Sequence, residues 1–173
     1  MTYLRHAGRH VHKTVMDYLD AQLTALNWRS ATNSPFGATP ITLVGRPVLM
    51  GDRVDDAVAP GLVAISLGDE LAPEMEEVGG PLSTQEYPFF VDIFGDNEAT
   101  ALALATDVRD IFMGRLPGTK RFLRVKNGAT GADVVGWQLE FEDVERVRPE
   151  TTMPYHWQVV KVTATTYFPE VVY

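Results

Sequence analysis

The sequence predicts an α+β fold: one mixed or antiparallel β-sheet packed by two α-helices in a single domain spanning residues 1–173. Three observations predict it. Two segments place apolar residues at helical spacing. Several others are β-branched and apolar, bounded by Gly, Pro, Asn and Asp. The order is helix, strands, helix, strands, with no internal repeat and no low-complexity tract.

The first helix is expected over 10–28. Val11, Val15, Tyr18, Leu19, Leu23 and Leu26 follow i, i+4, i+7, i+8, i+12 and i+15, which is one helical face. Lys13, Asp17, Asp20 and Gln22 fall largely off it. "RSATNSPFGATP" then reads as a loop. Strands follow around 40–49 and 62–67. Pro47 cannot donate to a ladder, so the first is an edge strand or carries a bulge there. Two more strands, around 74–84 and 86–95, flank a Gly-Gly-Pro break and form a hairpin or a long arm.

The second helix is expected over 97–113. Asp96 is a plausible N-cap, and Glu98 suits the positive end of the dipole. Ala101, Leu104, Ala105, Val108, Ile111 and Phe112 form its apolar stripe, and Gly114 and Pro117 end it. Strands are expected around 121–126, 134–144 and 155–168. In the second of these, Val135, Trp137, Leu139 and Phe141 are expected to face one way. Gly136, Gln138, Glu140 and Glu142 should face the other.

With 173 residues the chain can bury a real core. The absence of cysteine excludes disulfides, thiolate–zinc sites and a cysteine nucleophile. The start, "MTYLRHAGRH", is basic and polar and lacks the apolar centre of a secretory signal. No run approaches the roughly 18 apolar residues of a membrane span. The expectation is a soluble protein assembled in a cytoplasm. The net charge of −8 disfavours a grip on nucleic acid, because neutralising phosphates needs clustered cations. The one modest basic cluster is Lys120, Arg121, Arg124 and Lys126. An acidic surface can instead sit beside DNA without holding it.

No Gly-rich phosphate loop, nucleophile elbow or HExxH is present. His6 and His10 are spaced i, i+4 and could share a helix face to bind zinc with His12 nearby. No acid lies among them, and an exposed or subunit-contacting stretch is the plainer reading. His156 has no identifiable partner for base catalysis. Asp52, Asp55 and Asp56, with the group from Asp69 to Glu77, could act as paired carboxylates. The ordinary reading is a solvated acidic loop, and the other is an acidic lining or a partner contact. Phe89, Phe90 and Phe94 occupy both faces of one strand, which is either buried between layers or exposes rings for a subunit contact.

The stretch "FVDIFGDNEATALALATDVRDIF" resembles the strand, acidic turn and small-faced helix of the tail terminator proteins of long-tailed bacteriophages. It is also similar to the versions in actinobacterial phages. The element order over most of the chain fits as well, while the sequence likeness covers about 30 residues. The resemblance implies a tail-terminator-like fold and a ring, usually a hexamer. That ring caps the tail tube, stops its polymerisation and joins it to the head-side connector at the head–tail junction of the virion. DNA passes through the lumen without specific binding, and no membrane is involved.

On that reading the partners are further copies of the chain, the tail tube protein and the connector or neck protein. The candidate subunit-contact or lumen residues are Asp52, Asp55, Asp56, Asp69, Glu70, Glu74, Glu76, Glu77, Phe90 and Phe94. No catalytic, cofactor-binding or metal-ligating residue is assigned, and the protein is read as no enzyme. The alternatives are a neck, tail-completion or tube protein of the same virion, and, from another class, a small α+β enzyme or ligand-binding domain.

Overall fold

The computed structural model describes residues 7–30, 40–45, 61–68, 74–75, 82–95, 97–147 and 156–169. Its elements are α1 (Ala7–Ala25), β1 (Thr42–Val44), β2 (Leu62–Leu67), β3 (Glu74–Met75), β4 (Leu82–Gly95), α2 (Glu98–Phe112), β5 (Phe122–Lys126), β6 (Asp133–Val147) and β7 (His156–Pro169). All seven strands form one sheet in the order β1-β2-β4-β7-β6-β5, and β3 pairs with β4 off that path. Among the described strands only β1 and β2 run parallel, so the sheet is mixed. The class is α+β with both helices on one face of the sheet.

α1 buries Gly8, Val11, Thr14, Val15, Leu19 and Leu23. It starts and ends three residues earlier than its apolar spacing places it. The end has a physical cause at Asn27, which adopts a left-handed φ of 65°. The Trp28 N–H then reaches the Leu23 carbonyl, and the Asn27 N–H reaches that of Thr24, each at 3.0 Å. This is a Schellman cap with Asn in the position glycine usually takes. The Trp28 indole, fully buried, donates to Asp107 Oδ2 at 2.7 Å and ties the end of α1 to α2.

α2 buries the six residues of its expected stripe. Its cap is Asn97 rather than Asp96: the Asn97 side chain accepts from the Thr100 N–H at 2.9 Å. Asp96 itself lies outside the described residues. Both residue types cap well, and composition alone cannot separate two neighbours. Gly114, at φ 66°, ends α2 with a second Schellman cap, in which the Arg115 N–H meets the Asp110 carbonyl at 2.9 Å. Gly95 closes β4 just before α2, where a Cβ would lie 2.8 Å from the Ala101 nitrogen. Only glycine allows that close approach of strand and helix.

The strand expected over 74–84 divides. Glu74 and Met75 form β3, while Leu82 to Thr84 belong to β4 and pair back onto it as a hairpin, Glu74 opposite Thr84. β4 is central, yet it contains Pro88. The Pro88 carbonyl accepts from Gly68 N–H at 2.7 Å, just past the end of β2. The missing donor therefore faces Gly68, past the end of β2, and the ladder with β7 loses no bond there.

β6 departs most from its expected pattern. Trp137, Leu139 and Phe141 are buried, but Val135 is 94% exposed, and Val134 packs against the core instead. From Arg124 to Lys126 of β5 the pairing steps from Gln138 to Asp133 of β6, so β6 bulges. Gly136 carries φ 76° within the bulge. A bulge re-phases the side chains on either side of it, which turns Val135 outward. A second irregularity, between Glu142 and Glu145, holds Asp143 at φ 48°.

The main core lies between the helices and the inner sheet face. Tyr87, Phe89, Val91 and Ile93 of β4 alternate into it, beside Val160, Val162 and Ala164 of β7. Phe112 meets Phe141 edge-on with ring centres 4.8 Å apart. Each such fully buried side chain contributes roughly 1.5–3 kcal/mol of transfer free energy. α1 touches both β2 and the far edge strand β5, so the sheet curls around the helices.

Candidate functional site

Among the described residues, two surfaces of the sheet have no helix over them. The first is its outer face, and the cross-strand registers assign that face. At one end Leu62 of β2, Phe94 of β4 and Trp157 of β7 form a small second cluster with Val44. The rings of Phe94 and Trp157 stack with centres 6.0 Å apart and planes 6° apart. Beside them the Trp157 indole donates to Asp92 Oδ1 at 2.9 Å. Burial raises the Asp92 carboxyl above its ordinary value, and the indole hydrogen bond offsets this only in part.

Toward the other end the same face turns acidic. Thr165 of β7 lies opposite Glu86 of β4 on one side and Glu140 of β6 on the other. Its hydroxyl donates to Glu142 Oε2 at 2.7 Å. Glu140 also meets the Tyr167 hydroxyl at 3.4 Å and the Arg121 guanidinium at 3.5 Å. One carboxylate, Glu142, thus holds this threonine, and Glu86 and Glu140 flank it in register. Lys161, nearer the middle, is 3.8 Å from Glu145. Phe90, opposite Lys161, keeps 38% of its surface exposed.

The second surface is the edge of β5, which pairs with β6 alone among the described strands. The Phe141 N–H donates to the Arg121 carbonyl, so residue 121 faces β6, and by alternation so does Leu123. The backbone N–H and C=O of Phe122 and Arg124 consequently point away from the sheet. Both ends of this edge are fastened to α1. The Tyr18 hydroxyl accepts from the Lys120 N–H at 2.8 Å and lies 3.1 Å from the Lys120 carbonyl. Burial raises the Tyr18 phenol above its ordinary value, against a smaller opposite effect from the Lys120 hydrogen bond, so it keeps its proton at neutral pH. At the far end Thr14 Oγ1 accepts from the Lys126 N–H at 2.9 Å. Between the two ties an open groove of about 680 Å³ runs along α1, lined by Tyr18, Ala21, Phe122, Arg124, Lys120 and Lys126 among others.

The residues singled out from sequence fall unevenly on these surfaces. Phe90 is on the outer face and exposed. Phe94 is on the same face but 4% exposed, its ring engaged within the chain by Trp157. Glu74 stands in β3, where its backbone position opposite Thr84 is described. Asp52, Asp55, Asp56, Asp69, Glu70, Glu76 and Glu77 lie outside the described residues, as do Pro47 and the Gly-Gly-Pro break. His10 and His12 diverge from one another on α1. His10 Nδ1 accepts from the Gly128 N–H at 2.8 Å, while the His12 ring stacks on Phe89. Among the described residues no three His, Asp or Glu side chains gather to hold a metal ion. Among them, too, no helix is long and apolar enough to cross a membrane.

The acid group around Thr165 was not singled out from sequence. Alternation already sends Glu140 and Glu142 away from the core. What it cannot supply is the register that brings Glu86 to the same threonine. Compared with known proteins, the chain matches no family model. No curated protein matches it either.

Proposed function

We propose that this chain is the subunit of a closed ring that caps the tail tube of a long-tailed bacteriophage, a tail terminator at the head–tail junction. One observation carries the reading: among the described residues two separate kinds of surface are left uncovered, an open sheet edge and an acidic sheet face. A ring needs both, because one surface must join neighbours head to tail and another must line the hole. The sequence resemblance and the α+β order of elements support the same reading.

The acidic face suits a lumen physically. Glu86 and Glu142, with Glu140 partly offset by Arg121, would present negative charge to passing DNA, which repels phosphate and prevents sticking. The groove beside α1 offers less to the enzymatic alternative. Its two carboxylates, Asp17 and Asp133, are each paired with a cation, Lys13 and Arg124.

Native mass measurement, followed by electron microscopy of the assembled species, tests the ring. The expected result is a closed oligomer with a wide axial hole, and labelled antibody on virions should bind at the head–tail joint. Antibody binding elsewhere on the particle, or none, overturns the assignment. For the lumen, the double change Glu140→Lys with Glu142→Lys should slow DNA ejection more than it slows tail assembly. Equal rates for both processes would remove the electrostatic part and leave the location standing.

A further inference from the structure

We propose that the middle of β5 is a docking slot for a β-strand, and that its occupant is the acidic stretch containing β3 of a second copy of this chain. The inference rests on the reading that copies of the chain join, and it names the surfaces that meet.

The slot is defined by hydrogen-bonding capacity. Phe122 and Arg124 point four backbone groups out of the sheet, two donors and two acceptors. The edge N–H groups of Lys120 and Lys126 are already satisfied by Tyr18 and Thr14. So α1 does not cover the edge; it fastens the ends, and among the described residues nothing pairs with the centre. An extended segment of about three residues fits that opening by strand addition, the commonest way an exposed edge recognises a peptide.

Charge selects the occupant. Lys120, Arg121, Arg124 and Lys126 are the basic cluster of a chain whose net charge is −8; Glu140 and Asp133 offset part of the charge of Arg121 and Arg124, and both arginines stay more than half exposed. Two β5 edges placed against each other would set these cations face to face, which is unfavourable across paired strands. An acidic strand meets them favourably. The stretch from Asp69 to Glu77 contains five acids and no base, and β3 within it pairs with β4 alone among the described strands. A charged edge can also serve merely to repel other strands. What separates this edge from such a guard is Phe122, a ring 58% exposed at the centre of the free stretch and lining the groove. Joining an acidic strand to a basic edge is a heterologous contact, the kind that closes rings.

The chain has no cysteine, so introduced pairs report cleanly. With Glu74→Cys and Arg124→Cys in one chain, mild oxidation should give a ladder of covalent oligomers, and neither single variant should give one. A dimer from Arg124→Cys alone means the edge pairs with itself and overturns the proposal. A second arm uses a synthetic peptide of residues 69–84. Wild-type protein should bind it and shift the amide resonances of Phe122 and Arg124. Arg124→Pro removes an outward-pointing N–H without touching the β6 pairing, and should weaken the peptide by about tenfold while circular dichroism stays unchanged. Peptide binding by a chain that stays monomeric keeps the slot and counts against the ring. A ring with neither ladder nor peptide binding keeps the ring and overturns the slot. Retention of a DNA duplex in place of the peptide assigns the cations to phosphate and also overturns it.

Discussion

The two faces of β4 obey different rules. On the inner face Tyr87, Phe89, Val91 and Ile93 are fully buried, one after another, under two helices. On the outer face Phe90, Asp92 and Phe94 have three different fates: an exposed ring, a half-buried carboxyl and a ring stacked on Trp157. Burial under a helix demands the same thing of every residue, so the inner face is uniform. A face left open to water or to a partner makes no single demand, and its residues can be chosen for contact and charge.

The largest effect should come from breaking the uniform face. Val108 is fully buried on α2, within the core that also takes in Phe89 and Val162. Val108→Asp places an unpaired carboxylate there, at a cost of several kcal/mol that a domain of ordinary stability cannot absorb. Circular dichroism and gel filtration should find no cooperatively folded, soluble protein. A folded product would mean the inner face tolerates charge and that the contrast between the faces is false.

That inner face is also where the sequence was most legible. The stripe of α2 is a property of local spacing, and its six residues are the six that the fold buries. The fold class follows from the same periodicities. The bulge at Gly136 was hidden because strict alternation assumes a regular strand, and nothing in "DVVGW" tells a glycine that extends from one that turns through positive φ. The open surfaces were less legible still. Glu86 meets Glu140 only through β7, and Phe122 gains its free edge only because Tyr18 and Thr14 fasten the strand on either side of it. Such placements depend on register between distant segments, which residue type and spacing do not encode.

A smaller effect sharpens the comparison at Asp92. Trp157→Phe keeps a ring against Phe94 but removes the indole donor. It should cost about 1–3 kcal/mol at pH 7, read from denaturant midpoints, because a half-buried carboxylate loses its partner. Asp92→Asn keeps an acceptor for the indole and removes the charge. The folded carboxyl titrates above its ordinary value of 3.8 because burial disfavours its charged form. The folded chain therefore holds that proton to higher pH than the unfolded chain does. Stability from this group is greatest at low pH and falls as pH rises through the window between the two values. Asp92→Asn should abolish that fall, so its melting temperature should gain on wild type as the pH is raised above 3.8. A gain in the opposite direction would mean the carboxylate is stabilised by a partner that outweighs burial.

The smallest effect on folding should belong to Phe90. Its neighbour Phe89 is fully buried and stacks on His12, so Phe89→Ala should cost about 3–5 kcal/mol. Phe90→Ala removes a ring that is already partly in water and should cost about 1 kcal/mol. Adjacent residues of one type in one strand then differ severalfold in stability, purely by the face each occupies. If the outer face also makes subunit contacts, Phe90→Ala should lower the association constant of the oligomer by more than its folding cost explains, because the ring is half free in the monomer and becomes covered in the assembly. Sedimentation at several concentrations separates the two quantities. A variant that associates as tightly as wild type would exclude Phe90 from the contact and leave the β5 edge to join the copies.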